Sequence, residues 1–384
     1  KLCPKKFQER NPSHRDLAQG SNTRQGIVMP RTSMMSIVLC LTAFLHLKCK
    51  EDLPPDVPPE PSHPTIVWVA DTIRNPYETS QLSLRSIWGS DTNDVYVAGH
   101  NSAGGNASLF RYDGKTWNVI RITNGEGGFI GSYISLSKID GSSKSDIWAV
   151  GRRGSYYGWS PDSSLVIHFD GVLWKEVVMN RAKHSMQGIK VLSSSNVYLS
   201  GSNGEIYHYD GTMFSTVVLD TNFAPWIGGD ADRMFAGGAG RYPREDLSVY
   251  SKQSSEPWQL IQKMSLMEYF NKQRIGYRDF YSLGGGRYFV AGEGIFIITD
   301  TTWQMSYGGD NSSYQLIRGT TPTNVFAVSA SHLIHWNGVD WKKVNLPEGI
   351  ENTQSLTALW VKHNMVFVSY LYSFDTNIIY RGTY

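Results

Sequence analysis

Cysteine is almost absent from this chain. Cys3, Cys40 and Cys49 are the only three in 384 residues, and none lies beyond position 49. The long remainder can hold no internal disulfide, no thiolate nucleophile and no zinc–thiolate site. Charge is sparse too, at 18% of residues, and no basic stripe marks a nucleic-acid partner. There is no Gly-x-Ser-x-Gly elbow, no phosphate-binding loop and no dinucleotide fingerprint. No apolar run reaches the ~20 residues that a membrane-spanning helix needs. These absences remove cysteine catalysis, nucleotide chemistry and integral membrane insertion by helices, and neither a metal nor a cofactor is expected.

What is present favours strands. Aromatics make up 12% of the chain, with 12 tryptophans and 37 glycines. The net charge of +2 hides an asymmetry, because residues 1–48 carry +6 and leave −4 to the remainder. That basic opening contains the run MSIVLCLTAFLHL (35–47), which reads as the core of a secretory signal. Residues 1–28 precede the first methionine and are expected to be a non-native extension. The start is placed at Met29, Met34 or Met35, and the signal at 29–49.

The sequence LHLKC-KED at its end resembles a bacterial lipoprotein signal, in which the cysteine is lipidated and becomes the first residue. His46 and Lys48 depart from that pattern. Lys50-Glu51-Asp52 is similar to the tag on surface-exported lipoproteins of Bacteroidetes-like bacteria. The resemblance implies a lipid anchor on Cys49 and export to the outer membrane or cell surface; without lipidation the protein would be periplasmic or secreted. Residues 50–64 then pack six prolines into EDLPPDVPPEPSHP, a semi-rigid spacer.

From residue 65 the chain repeats itself. An apolar run ending in a small residue recurs as DVYVAG (94–99), DIWAVG (146–151), NVYLSG (196–201), DRMFAG (232–237), RYFVAG (287–292), NVFAVS (324–329) and NMVFVS (364–369). Each is flanked by an inner strand such as LRSIWGS (84–90) or APWIGG (224–229). An alternating strand closed by Asp-Gly or Asn-Gly follows, as in LFRYDG, VIHFDG, IYHYDG and LIHWNG. A fourth strand opens at Trp117, Trp174, Phe214, Trp258, Trp303 or Trp341. The last unit stops after three strands, while TIVWVADT (65–72) supplies an unused strand carrying Trp68. The pattern predicts an all-β fold over 65–384: a seven-bladed β-propeller of four-stranded antiparallel blades, with velcro closure by the amino-terminal strand. The blades resemble those of bacterial secreted β-propeller repeat proteins and, distantly, Asp-box propellers of the sialidase kind. YSKQSSEPW and FIITDTTW lack the Asp-Gly turn.

Most of the tempting residues have structural readings. Asp113, Asp170 and Asp210 sit at hairpin turns. His168, His208 and His335 share one repeat position, taken in the first unit by Arg111, and are expected to pack between blades rather than to bind metal. Asp91-Thr92-Asn93-Asp94 reads as an Asx-type turn.

Length in the units accumulates between strands two and three and between successive units, at 121–133, 152–164, 238–246, 262–279 and 370–376. These segments should emerge at one end. Their aromatic and basic residues, Arg152, Arg153, Tyr156, Tyr157, Trp159, Arg241, Tyr242 and Tyr269, form the expected ligand-binding set. The reading is a non-catalytic, surface-anchored scaffold, expected to be monomeric, that recognises a protein or glycan. The alternative is a propeller enzyme of glycoside hydrolase or lyase type, which would need two acids converging from Glu126, Asp162, Glu245, Asp246, Glu268, Asp279 and Asp310.

Overall fold

β-Branched and aromatic runs separated by polar turns build strands throughout the described chain. The structure, a computed structural model, describes residues 62–76, 80–102, 108–122, 134–154, 163–179, 184–221, 223–240, 246–265, 267–268, 274–308, 312–347 and 356–384. Residues 60–384 belong to one compact unit, whereas the expected signal, Cys49 and most of the proline-rich spacer lie outside the described residues.

The first strand is β1 (Val67–Arg74). Four-strand groups follow in chain order: β2 (Leu82–Asp91), β3 (Asp94–Asn101), β4 (Leu109–Tyr112) and β5 (Trp117–Val119), then β6 (Ile134–Ser143), β7 (Asp146–Arg153), β8 (Ser163–Phe169) and β9 (Trp174–Glu176). The next groups are β10 (Met186–Ser193), β11 (Asn196–Gly201), β12 (Glu205–Tyr209) and β13 (Phe214–Val218), and β14 (Phe223–Gly229), β15 (Arg233–Gly240), β16 (Leu247–Gln253) and β17 (Gln259–Met264). Then come β18 (Gly276–Gly284), β19 (Arg287–Gly292), β20 (Gly294–Thr299) and β21 (Thr302–Tyr307), and β22 (Tyr314–Thr321), β23 (Asn324–Ser329), β24 (Leu333–Trp336) and β25 (Trp341–Lys343). The chain ends with β26 (Leu356–Lys362), β27 (Met365–Leu371) and β28 (Thr376–Thr383).

All pairings are antiparallel between sequence neighbours, with two additions. One bridge, His100 to Ser135, joins the first two groups into an eight-stranded sheet. β1 pairs with β28, from Val67 opposite Thr383 to Arg74 opposite Thr376, as the outer strand of the β26–β28 sheet. The first strand of each group also touches that of the next, in the order β2, β6, β10, β14, β18, β22, β26 and back to β2.

The core lies between consecutive sheets. One cluster joins Leu136, Ile147, Leu165 and Trp174 to Tyr96, Ala98 and Leu109 of the preceding group, and another joins Leu82, Val97 and Phe110 to Ile73, Trp360 and Phe367. The small residue ending each apolar run has a steric cause. A bulge in β2 and β6, after Leu84 and Leu136, brings the inner strand onto its partner. A Cβ on Gly99 would lie 2.1 Å from Ser83 O, and one on Gly151 2.0 Å from Ser135 O.

Antiparallel order sends the turns between first and second strands, and between third and fourth, to one end of the sheets. The second-to-third and group-to-group connections leave from the other. We call these the tight-turn end and the long-loop end.

Candidate functional site

At the tight-turn end the polar side chains hold the backbone. Asp113 Oδ1 accepts the N–H groups of Lys115 (2.9 Å) and Thr116 (2.8 Å), and Asp170 and Asp210 do the same two and three residues ahead. Gly114, Gly171 and Gly211 follow at φ of 91°, 92° and 99°, where glycine is favoured. Hydrogen bonds from Thr116 and Lys115 hold the exposed Asp113 carboxyl below the usual range. These aspartates are spent on turns.

The histidines bond within their own sheets, and His335 also meets His63, ahead of β1, at 3.1 Å between the Nδ1 atoms. His168 Nε2 donates to Asp146 Oδ1 (2.8 Å) and stacks on Trp148 with centroids 4.1 Å apart. The Asp146 carboxylate also takes Trp148 Nε1 at 2.9 Å and the Ser142 hydroxyl. Arg111 reaches Asp94 at 2.7 Å, His208 reaches Asn196 at 2.9 Å and His335 reaches Asn324 at 2.9 Å. The bond runs inside a sheet, from third strand to second, because the register sets Trp148 opposite His168 and Tyr198 opposite His208. Thr92 N–H donates to Asp91 Oδ1 at 2.7 Å, one residue on, whereas an Asx-type turn bonds the N–H two residues on.

The tryptophans bridge sheets. Trp341 Nε1 donates to Ser306 on β21, Trp117 Nε1 to Asp71 on β1 and Trp68 Nε1 to the Asn345 carbonyl, each at 2.9 Å.

The long-loop end is different. His100, Ser135 and Arg152 are successive cross-strand neighbours on β3, β6 and β7, and Arg85 sits at the β2 bulge. Burial and then the Arg85 and Arg152 charges lower the His100 pKa, and burial with Arg152 lowers that of Arg85. His100 Nδ1 is buried and has no hydrogen-bond partner among the described residues. Of the expected binding set, Arg152 lies in this cluster. Arg153 pairs with Glu176 at 2.6 Å. Both arginines belong to the end of β7 rather than to a loop. Tyr156, Tyr157, Trp159, Arg241, Tyr242 and Tyr269 lie outside the described residues. Arg85 and His100 escaped sequence reading, because their neighbourhood depends on a pairing between units.

Along the axis, the inner strands β2, β6, β10, β14, β18, β22 and β26 enclose a cavity of about 460 Å³. Its wall includes Trp88, Trp226, Trp360, Lys138, Asp140, Lys190, Arg278, Asp279 and Arg318. Here Asp279, expected on a loop, is a buried residue of an inner strand. It binds Arg318 and accepts the Ile317 N–H at 2.8 Å. Asp246 pairs with Lys263 at 2.9 Å, and Glu268 accepts Ser265 Oγ at 2.8 Å. Glu126, Asp162, Glu245 and Asp310 lie outside the described residues. Among the described residues no group of three His, Cys, Asp or Glu side chains could hold a metal, and no helix is long and apolar enough to cross a membrane.

No family model and no curated protein matches the chain. Solved structures do. YCF48, described as bound to D1 peptide, matches at TM-score 0.57 and 14% identity, covering 84% of this chain and 100% of that one. Virginiamycin B lyase from Staphylococcus aureus matches at TM-score 0.55 and 11% identity, covering 83% and 100%. The WD40 β-propeller domain of Doa1 matches at TM-score 0.52 and 12% identity, covering 79% and 97%. The fold is that of a β-propeller, and at such identities the likeness extends to fold alone.

Proposed function

We propose that this β-propeller is a non-catalytic binding scaffold that recognises a protein or glycan carrying acidic groups through its long-loop end. The observation that carries this reading is the convergence of Arg85, His100 and Arg152 there, with a buried imidazole nitrogen that has no partner among the described residues. Arg85 and Arg152, both exposed, set two positive charges beside the half-buried His100, and an incoming carboxylate or sulfate would pair with them. The aromatic segment that continues from Arg152, with Tyr156, Tyr157 and Trp159, supplies flat anchors beside the charge, and Arg241, Tyr242 and Tyr269 extend the surface. A peptide complex of a propeller with the same fold is consistent with such use.

The ring in this proposal has seven blades, and β1 closes it as the fourth strand of the last one. The circular order of inner strands supports this. So does β1's side-chain chemistry: Trp68 donates towards the preceding sheet, as Trp341 does, and Asp71 receives Trp117 of the following one. The scaffold is exported and held at the cell surface by a lipid on Cys49, with residues 50–64 as spacer.

The test is recognition on a glycan array or by surface pull-down. Arg85→Ala with Arg152→Ala, and separately Tyr157→Ala with Trp159→Ala, should each lower affinity at least tenfold with melting unchanged. Binding that survives both double variants would remove the long-loop end as the site. For the anchor, the wild type should partition into detergent and Cys49→Ser should not.

A further inference from the structure

The axial cavity carries a charge that the fold does not use. Each acid on its wall is already committed. Asp140 Oδ2 accepts the Val191 N–H at 2.8 Å and lies 3.8 Å from Lys190 Nζ. Asp279 holds Arg318 and the Ile317 N–H. Asp230 accepts Tyr288 Oη at 3.0 Å, Ser282 Oγ at 2.5 Å and the N–H groups of Asp232 and Arg233. Among the cations, Lys190 and Arg318 have these partners and Arg278 has Glu293 at 3.9 Å. Lys138 is the exception. It stands on β6, half-buried and lining the cavity, with no ion pair or hydrogen bond among the described residues.

Two committed acids do structural work that explains why neither turns to Lys138. Asp140 and Asp279 each cap a backbone N–H on the next inner strand, as Ser86 Oγ does for Ile139 at 3.2 Å. Burial lowers the Lys138 pKa; Asp279 opposes that shift and Arg318 adds to it. A half-buried ammonium near a guanidinium is stabilised by one further negative charge.

We propose that the axial cavity is a carboxylate site, with Lys138 supplying the counter-charge for one monoanionic group. The wall reaches Leu192, Asp230 and Ser282, next to the tight turns, so the group enters from that end. The volume accommodates a small aliphatic carboxylate or a single acidic side chain. Lys138 is the wall cation without an ion pair among the described residues, and Asp230, bonded only to hydroxyl and N–H groups, is the wall acid without one. The site can therefore take one negative charge near Lys138, while a dianion such as sulfate would meet repulsion. This site is separate from the long-loop end, and either can fail without the other.

Calorimetry and melting of the full chain with acetate, propionate, sulfate and a glutamate-containing peptide test the proposal. Acetate and propionate should bind saturably and raise the melting temperature, sulfate should not, and Lys138→Gln should weaken carboxylate binding at least tenfold. Lys138→Arg, which keeps the charge, should retain binding and so separates loss of charge from misfolding. A peptide binding at least a hundredfold tighter than acetate assigns the site to a partner's side chain, and equal affinity assigns it to a small metabolite carboxylate. Absence of saturable carboxylate binding, equal binding of sulfate, or binding unchanged in Lys138→Gln overturns the proposal.

Discussion

The two ends of this molecule treat polar groups in opposite ways. At the tight-turn end the aspartates bind N–H groups of their own turns, and the histidines and Arg111 bind an acid or amide one strand away. At the long-loop end, Arg85 and His100 are left with lowered pKa values under burial and like charge. A polar group fully used by the fold has little left for a ligand. Polar groups held at an energetic disadvantage are where binding has something to gain. The comparison makes a demand: changes at the tight-turn end and along the strands should alter stability and leave recognition alone.

The largest effect should come from β1. Deleting residues 65–74 removes eight paired residues from β28 and uncovers the cluster containing Ile73, Leu82 and Phe367. Cooperative melting should be lost or fall steeply, while deleting residues 50–61 should change it little. A graded version is Asp71→Ala, since Asp71 holds Arg381 through two bonds of 2.6 and 3.0 Å, both side chains being only 18% exposed. Leaving that arginine unpaired should cost about 2–3 kcal/mol by denaturant titration. A β1 deletion that melts like the parent would break the assignment of β1 to the last sheet's framework.

A smaller effect concerns pH. His335 is 3% exposed, and burial, with the nearby His63 charge adding, lowers its pKa from 6.5 to about 4 although Asp340 opposes the shift. The unfolded chain therefore takes up this proton first as pH falls. The contribution is intact above pH 6.5, declines through the window down to about 4, and is level below it, for a total on the order of 3 kcal/mol. His335→Gln keeps a donor for Asn324 but cannot titrate, so its stability should fall less between pH 6.5 and 4. Parallel pH profiles for the variant and the parent would show that this end is not fixed by a neutral histidine.

The sequence carried the strands well because the code is local. Asp-Gly before an aromatic places a hairpin, and a glycine ends five of the seven apolar runs, at Gly99 and Gly151 marking close approach to the inner strand. The hydrogen-bonded pairs were harder to see. Asp94 to Arg111, Asp146 to His168 and Asn196 to His208 are 17, 22 and 12 residues apart, since the intervening connection varies in length while register stays fixed. The sites were harder still. Lys138, Asp279 and Arg318 are brought together by the ring of inner strands, and no spacing in the chain encodes that meeting. The same reason placed Asp279 on a loop in the sequence reading: GYRD resembles neither of the neighbouring inner strands, and its bulge between Gly276 and Asp279 breaks the alternation.

The smallest effect tests the tight-turn end where its own rule lapses. The turns after β16 and β20 lack Asp-Gly, and there Ser254 and Asp300 adopt φ of 38° and 53°. A non-glycine residue in this region costs about 1 kcal/mol, and glycine's greater freedom in the unfolded chain returns part of that. Ser254→Gly should therefore stabilise the protein by roughly 0.5 kcal/mol. Its backbone contacts, a bond to the Asp232 carbonyl and one from Lys252, do not involve the side chain that is lost. Asp300→Gly should gain less, because the Asp300 charge supports that of the buried Arg233, whose guanidinium donates to the Asp300 carbonyl. Denaturant midpoints of the two variants against the parent decide the order. If Ser254→Gly destabilises, the serine hydroxyl is serving that turn as the aspartates serve the others, and the satisfied character of this end extends to the two turns that lack its signature.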